Sequence, residues 1–139
     1  MGACRIVTIS KKIPLFKGKD PANNIILVEL AEVGNRIVTG INTFKEGDQG
    51  LFIEPDYCLP DSNLFSEFHS PGGDPKKSKL GKDGRIKAVK FNLHTGDGKP
   101  VYSYGILMPL NGDTIKELMY MNIDISSEDL DKQLGITKY

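Results

Sequence analysis

Short apolar runs broken by turn-forming residues dominate the first half of the chain, and they read as strands. Cys4-Arg5-Ile6-Val7-Thr8-Ile9 is short and β-branched. Lys17-Gly18-Lys19-Asp20-Pro21 interrupts the pattern. Asn24 to Leu30 is nearly continuous apolar sequence, whose length and β-branched content favour a strand over a buried helical turn. Gly34-Asn35 marks a turn before Arg36-Ile37-Val38-Thr39, and Glu46-Gly47-Asp48 another before Gly50 to Glu54, which Pro55 ends. From Asp56 to Gly84 the pattern dissolves into Pro60, Pro71, Gly72-Gly73 and Pro75 among polar residues. This is a loop much longer than the usual connection of about 4–6 residues, with room for a helical turn at Asp61 to Phe68. Alternation returns at Arg85 to Phe91, followed by a Gly-rich turn and an answering strand from Tyr102 to Leu110. The tail switches to helical spacing. Ile115, Leu118 and Met119 share one side of Asp113 to Tyr120, and a second short helix is expected to open at Ser126, with Asp129 completing an approximate capping box and Gly135 as its C-cap.

Five or six short strands with one or two short helices predict an all-β fold. An OB-fold barrel is the commonest small barrel with a long loop between strands; an SH3-like barrel or a sandwich fits the same string. The 139 residues suffice for one domain with a real core, and 39% hydrophobic with 26% charged residues is ordinary soluble composition. No apolar run approaches the ~18–20 residues of a membrane span, and the N-terminus lacks the apolar stretch of a signal peptide. Met1-Gly2 is followed by Ile6, where a myristoylation motif wants Ser or Thr. Cys4 and Cys58 are too few and too far apart for a disulfide framework, so an intracellular protein with reduced thiols is expected. His69 and His94 have no partner at metal-ligand spacing, so no metal site is expected.

Charge changes the picture most. The net charge is zero, yet Lys76, Lys77, Lys79, Lys82, Arg85, Lys87 and Lys90 face a single acid, Asp83, within one loop-to-strand segment. Such a segment gives the molecular field a direction and suits a polyanion. In a strand, Arg85 and Lys87 would share one face and Ile86 and Ala88 the other, aiming two cations outward. Lys90 shares parity with Ile86, where half-burial or pairing with Glu54 or Asp56 is the alternative. Tyr102 and Tyr104 also share a face, suited to stacking on a base or to packing against protein. Phe52, Phe65 and Phe68 read as core or loop anchors. Lys11, Lys12, Lys17 and Lys19 form a second basic group, interrupted by Ile13 to Phe16 and treated as secondary.

Four blocks then resemble a known family in order and spacing. Gly47-Asp48-Gln49-Gly50-Leu51-Phe52-Ile53-Glu54-Pro55-Asp56-Tyr57-Cys58-Leu59-Pro60 resembles a run in ATP-dependent nick-sealing RNA ligases that carry an OB domain ahead of their nucleotidyltransferase domain. Arg85 to Lys90, Tyr102 to Leu110 and Leu134-Gly135-Ile136-Thr137-Lys138-Tyr139 are similar to three further blocks. The sequence departs from the family pattern at Lys90-Phe91-Asn92-Leu93 and at Tyr104, which replaces the usual Gln. The resemblance covers Ile25 to Tyr139. It implies an OB-fold nucleic-acid-binding domain over residues 1–139, with a long loop at 56–84 and a helical tail at 113–139 leading to a catalytic domain outside this sequence. It implies a role in RNA repair: binding nicked duplex RNA, on the 3′-OH strand, for sealing by that domain. The parent enzyme would use ATP and a divalent metal, Mg or Mn, and this domain neither; a monomer is expected.

Ligases of this class adenylylate the lysine of a K-x-D-G motif. Lys82-Asp83-Gly84-Arg85 falls short of it, because Gly81 stands where the lysine is needed. No catalytic residue is therefore expected here, and the expected nucleic-acid-binding set is Arg85, Lys87, Lys90, Lys82, Lys79, Lys77, Lys76, Tyr102 and Tyr104. A stand-alone OB-type RNA- or tRNA-binding protein is the first alternative. The second is a protein-interaction barrel docking through the acidic tail, Asp113 to Lys138.

Overall fold

The computed structural model describes residues 4–78, 80–110 and 112–139. Lys79 of the expected binding set, and the Met1-Gly2 terminus read against lipidation, lie outside the described residues. The organising element is β1 (Cys4–Ile13), longer than its sequence pattern suggests. Its first half pairs antiparallel with β6 (Gln49–Ile53), from Cys4↔Ile53 to Thr8↔Gln49. Its second half pairs antiparallel with β4 (Ile25–Leu30). The register shifts between Ile9 and Lys11, making Ser10 a bulge residue. Its hydroxyl donates to the Glu29 carbonyl (3.0 Å). A bulge bends and twists its strand, which lets one strand serve both walls of the molecule.

Two minor hairpin strands, β2 (Phe16–Lys17) and β3 (Asp20–Pro21), stand between β1 and β4. β5 (Arg36–Gly40) pairs with β4 after the Gly34-Asn35 turn, as the sequence predicts. The strand order is β10-β6-β1-β4-β5, all antiparallel, with β10 (Ile106–Pro109) on β6. The remaining seam, between β5 and the chain just before β10, is bridged. Val38 N–H donates to Ser103 Oγ (3.1 Å), Tyr104 N–H to the Arg36 carbonyl (3.2 Å), and Asn35 Nδ2 to the Tyr104 carbonyl (3.3 Å). The result is a nearly closed five-stranded barrel of OB type, mostly strand with a few short helices.

The barrel interior holds Val7, Ile9, Ile26, Val28, Leu30, Ile37, Phe44, Phe52 and Leu107. A second cluster lies on the outer side of β6 and β10. Leu51, Ile53, Ile106 and Met108 meet Leu59, Phe65, Ile86, Leu118, Leu130, Leu134 and Ile136 there. β6 and β10 are thus covered on both faces, which explains why Leu51-Phe52-Ile53 and Ile106-Leu107-Met108 are continuous apolar runs rather than alternating ones.

The covering layer contains α1 (Ser66–His69), α2 (Gly112–Tyr120) and α3 (Leu130–Leu134). Three sequence expectations are corrected. The strand expected from Tyr102 to Leu110 is two strands, β9 (Val101–Ser103) and β10, broken at Gly105. Gly105 has φ +110°, and a Cβ there would sit 2.7 Å from the Ile53 carbonyl oxygen. Only glycine lets the chain leave one partner and reach the next here. The helix expected to open at Ser126 starts at Leu130, because Asp124, Ser126 and Ser127 spend their side chains on local turns. On α2 only Leu118 turns inward; Ile115 and Met119 are exposed. Gly135 is the left-handed C-cap of α3, as its position suggested. Cys4 and Cys58 are both free and buried. Among the described residues, no helix is long and apolar enough to cross a membrane.

Candidate nucleic-acid interface

The basic segment belongs to the connection between β6 and β10, and it is packed down rather than loose. After Pro55, Asp56 takes a left-handed conformation (φ 69°) and leads into β7 (Tyr57–Cys58). Phe65 is fully buried; Phe68, Leu80 and Ile86 anchor the segment to the outer cluster. Pro71 and Pro75 each begin a single 3₁₀ turn. Asp74 caps the second, its carboxylate accepting from Lys76 N–H (2.9 Å). That turn leaves Lys76 and Lys77 exposed. Ser78 Oγ donates to the Phe68 carbonyl (2.7 Å) and so ties the end of this turn back to α1. Lys82 lies exposed in a further turn that closes at Gly84. Gly84 has φ +80°, its position is occupied closely by the Leu59 carbonyl, and its own carbonyl accepts from Leu59 N–H (2.9 Å).

The strand expected from Arg85 to Phe91 is shorter. Arg85 makes an isolated bridge to Cys58, Ile86 N–H donates to the Tyr57 carbonyl (2.8 Å), and a regular strand, β8 (Val89–Phe91), begins only afterwards. The consequence is that Arg85 and Lys87 have different environments. Arg85 donates from Nε (3.1 Å) and Nη2 (2.7 Å) to Asp56 Oδ1, and its guanidinium lies 4.2 Å from the centre of the Tyr139 ring. The hydrogen bond to Asp56 pushes its pKa further up. Half-burial or pairing of Lys90 with Glu54 or Asp56 was the alternative left open by the sequence; the cation on Asp56 is Arg85, and Lys90 is exposed. Lys87 is exposed, with its stem lying across Gly81, where an added Cβ would meet Lys87 Cδ at 3.1 Å.

Lys90 pairs in register with Tyr102, across β8 and β9, so the two share a face. Both are exposed, as is Tyr104, whose ring stacks on that of Tyr102 with centroids 6.0 Å apart. The tyrosine pair lines a cleft of about 570 Å³ together with Asn35, Arg36, Lys99 and Asp97. Arg36 is also ion-paired to Glu29 (3.3 Å). Arg36 and Lys99 were missed by sequence reasoning: they join the tyrosines only through the β5 seam, and no local spacing marks them. Lys77 and Lys87 instead line a different cleft, on the β5 side.

Two members of the group treated as secondary from sequence, Lys17 and Lys19, are brought close to the same hairpin. Phe16 and His94 exchange backbone hydrogen bonds (2.8 and 2.9 Å). His94 Nδ1 accepts from Gly96 N–H (3.0 Å), so its Nε2–H donates to the Gly18 carbonyl (2.7 Å). This pins the β2–β3 hairpin, with exposed Lys17 and Lys19, to the turn between β8 and β9. In OB terms, the loops after the first and fourth barrel strands are thereby joined beside the second and third, the region that OB barrels use for oligonucleotides.

Among the described residues, no group of three or more His, Cys, Asp or Glu could hold a metal ion. The Cys4 thiol is pushed up to about 12 by burial and by Asp131, which keeps it protonated.

A small OB-type barrel with a cationic loop and an exposed tyrosine pair defines a class of architecture rather than a particular protein. No protein-family model and no curated protein sequence matches the chain. Solved structures do. A glutamate-to-alanine variant of Naegleria gruberi RNA ligase with ATP and Mn matches at a TM-score of 0.64 and 23% identity, over 100% of this chain and 36% of that one. An arginine-to-alanine variant with ATP and Mn matches at 0.63 and 22%, over 100% and 35%. The same ligase with PPi matches at 0.63 and 23%, over 100% and 35%. The chain therefore spans about a third of the solved proteins that it matches, and at this identity the likeness establishes the fold.

Proposed function

We propose that this chain is a non-catalytic OB module of an ATP-dependent RNA ligase, which helps hold nicked duplex RNA by its 3′-OH strand while a nucleotidyltransferase domain of the same polypeptide seals it. The observation that carries this reading is a fold likeness over 100% of the chain to an RNA ligase, in a sequence whose four motif blocks resemble such ligases in order. Supporting it, Lys76, Lys77, Lys82, Lys87 and Lys90 are exposed cations on the connection before the fifth barrel strand, and Tyr102 and Tyr104 offer aromatic faces beside Lys90. A-form groove shape and 2′-OH contacts are the physical route to a preference for RNA. Arg85 supports the loop through Asp56 and Tyr139, so Lys87 is the cleaner probe of phosphate contact.

The test is filter binding of nicked RNA duplex across a salt titration. Retention is expected at low ionic strength and a steep loss at higher salt. Lys87→Ala should reduce the slope of log K against log salt by about 0.7–0.9, the contribution of one phosphate. Absence of salt-sensitive RNA retention would sink the reading. It would favour a protein-interaction barrel, for which Met119 and Tyr120, 70% and 87% exposed on α2, are the specific observation. Retention without a K-x-D-G motif elsewhere in the parent gene would favour a stand-alone RNA-binding protein.

A further inference from the structure

A second cleft, of about 430 Å³, opens between β5 and the segment that carries the lysines. Its size lies toward the lower end of small-ligand pockets, about 300–1,000 Å³. It suits a group the size of a nucleoside and is far too small for a duplex or an α-helix, which is about 10–12 Å across. Phe68, Leu80, Val89 and Phe91 give it apolar walls on one side, opposite the β5 backbone from Ile37 to Gly40. Polar residues share the lining. Lys77 and Lys87 are exposed lining residues, and the Lys87 stem is held in place against Gly81. Exposed Thr43 contributes a hydroxyl. Glu67 is the acid of the lining; its Oε2 accepts from Gly72 N–H (3.3 Å), and a carboxylate is an acceptor suited to an exocyclic amino group.

The lining combines apolar walls, which suit the face of a base, with two exposed lysines, which suit a phosphate, and a nucleotide matches both halves. A base can reach such a site only once out of its stack, and extrusion costs least where it is already unpaired. We propose that this cleft takes one unpaired nucleobase of the bound RNA, with its adjoining phosphate at Lys77 and Lys87. This inference rests on the RNA-binding reading and adds a subsite to it, on the opposite side of the β8–β9 hairpin from the tyrosine pair.

The experiment compares two RNAs at one low salt concentration: a fully paired duplex, and the same duplex with one unpaired 2-aminopurine nucleotide. The unpaired form should bind about tenfold more tightly, the scale of one base stacked on protein, and its fluorescence should change on binding. Thr43→Trp fills the cleft from an exposed position and should equalise the two affinities and abolish the fluorescence change; Val89→Phe fills it from the opposite wall as a second variant. Lys87→Ala should weaken binding of the unpaired form more than that of the paired one. Equal wild-type affinities, or a fluorescence change that survives both filling variants, overturns the cleft assignment while leaving RNA binding standing. Retention of neither RNA overturns both.

Discussion

Arg85 and Lys87 show how little a side chain's role follows from its parity. Alternation gives them the same outlook, yet one is held by a carboxylate and an aromatic ring and the other lies exposed at a cleft. The difference comes from Asp56 and Tyr139, 29 residues before Arg85 and at the end of the sequence respectively. Glu32 is a parallel case. Thr8 donates to it from its backbone N–H (2.7 Å) and its hydroxyl (3.0 Å), beside the β1 bulge. The backbone hydrogen bond is the main cause that holds the Glu32 carboxyl below its ordinary 4.5. A depressed folded-state pKa contributes stability that is fully present above the ordinary value and is lost as pH falls through the folded one. The urea midpoint of the wild-type protein should therefore fall more steeply than that of Glu32→Gln as pH drops below about 4.5. The carboxylate is exposed, so the difference should be a fraction of a kcal/mol; parallel curves would remove Glu32 from the acid response.

At the scale of elements, the hydrophobic pattern located β4, β5, β6 and α2 well, because each is short and bounded by Gly, Pro, Asn or Asp. It failed where one run serves two partners. β9 and β10 look like a single strand, and only the close approach of Gly105 to Ile53 and Phe52 shows why the chain must break there. Gly105→Ala combines a strained φ with overlap against a backbone carbonyl. It should destabilise the fold by about 2–4 kcal/mol in urea denaturation, and a loss below 0.5 kcal/mol, the scale of an ordinary surface substitution, would mean that the break is not glycine-dependent. The candidate site was legible to the same degree. The lysines of 76–90 stood out as a cluster of one sign, and the two tyrosines as a pair on one face. Their division between two clefts, and the presence of Arg36 and Lys99 beside the tyrosines, depends on the β5 seam.

Across the whole molecule, the end of the chain returns to the barrel. β11 (Thr137–Lys138) pairs with β7, Tyr139 N–H donates to the Asp56 carbonyl (3.0 Å), and the Tyr139 ring covers Arg85. The tail is thus coupled to the geometry of the basic segment. Removing residues 137–139 should lower Tm by about 3–6 °C, speed hydrogen exchange in β7, and change the NMR signals of the Arg85 guanidinium. An unchanged Arg85 environment would show that the tail packs without steering the loop.

By itself, the sequence determined an all-β chain with a helical tail and one cationic segment. Those properties follow from local periodicity, turn residues and charge, which neighbours along the chain suffice to specify. Tertiary structure decided the barrel's closure, the pinning of Arg85, the join between Phe16 and His94, and the two clefts on either side of one hairpin. Each depends on contacts between residues remote in sequence, such as Val38 with Ser103, and a one-dimensional pattern carries no term for them.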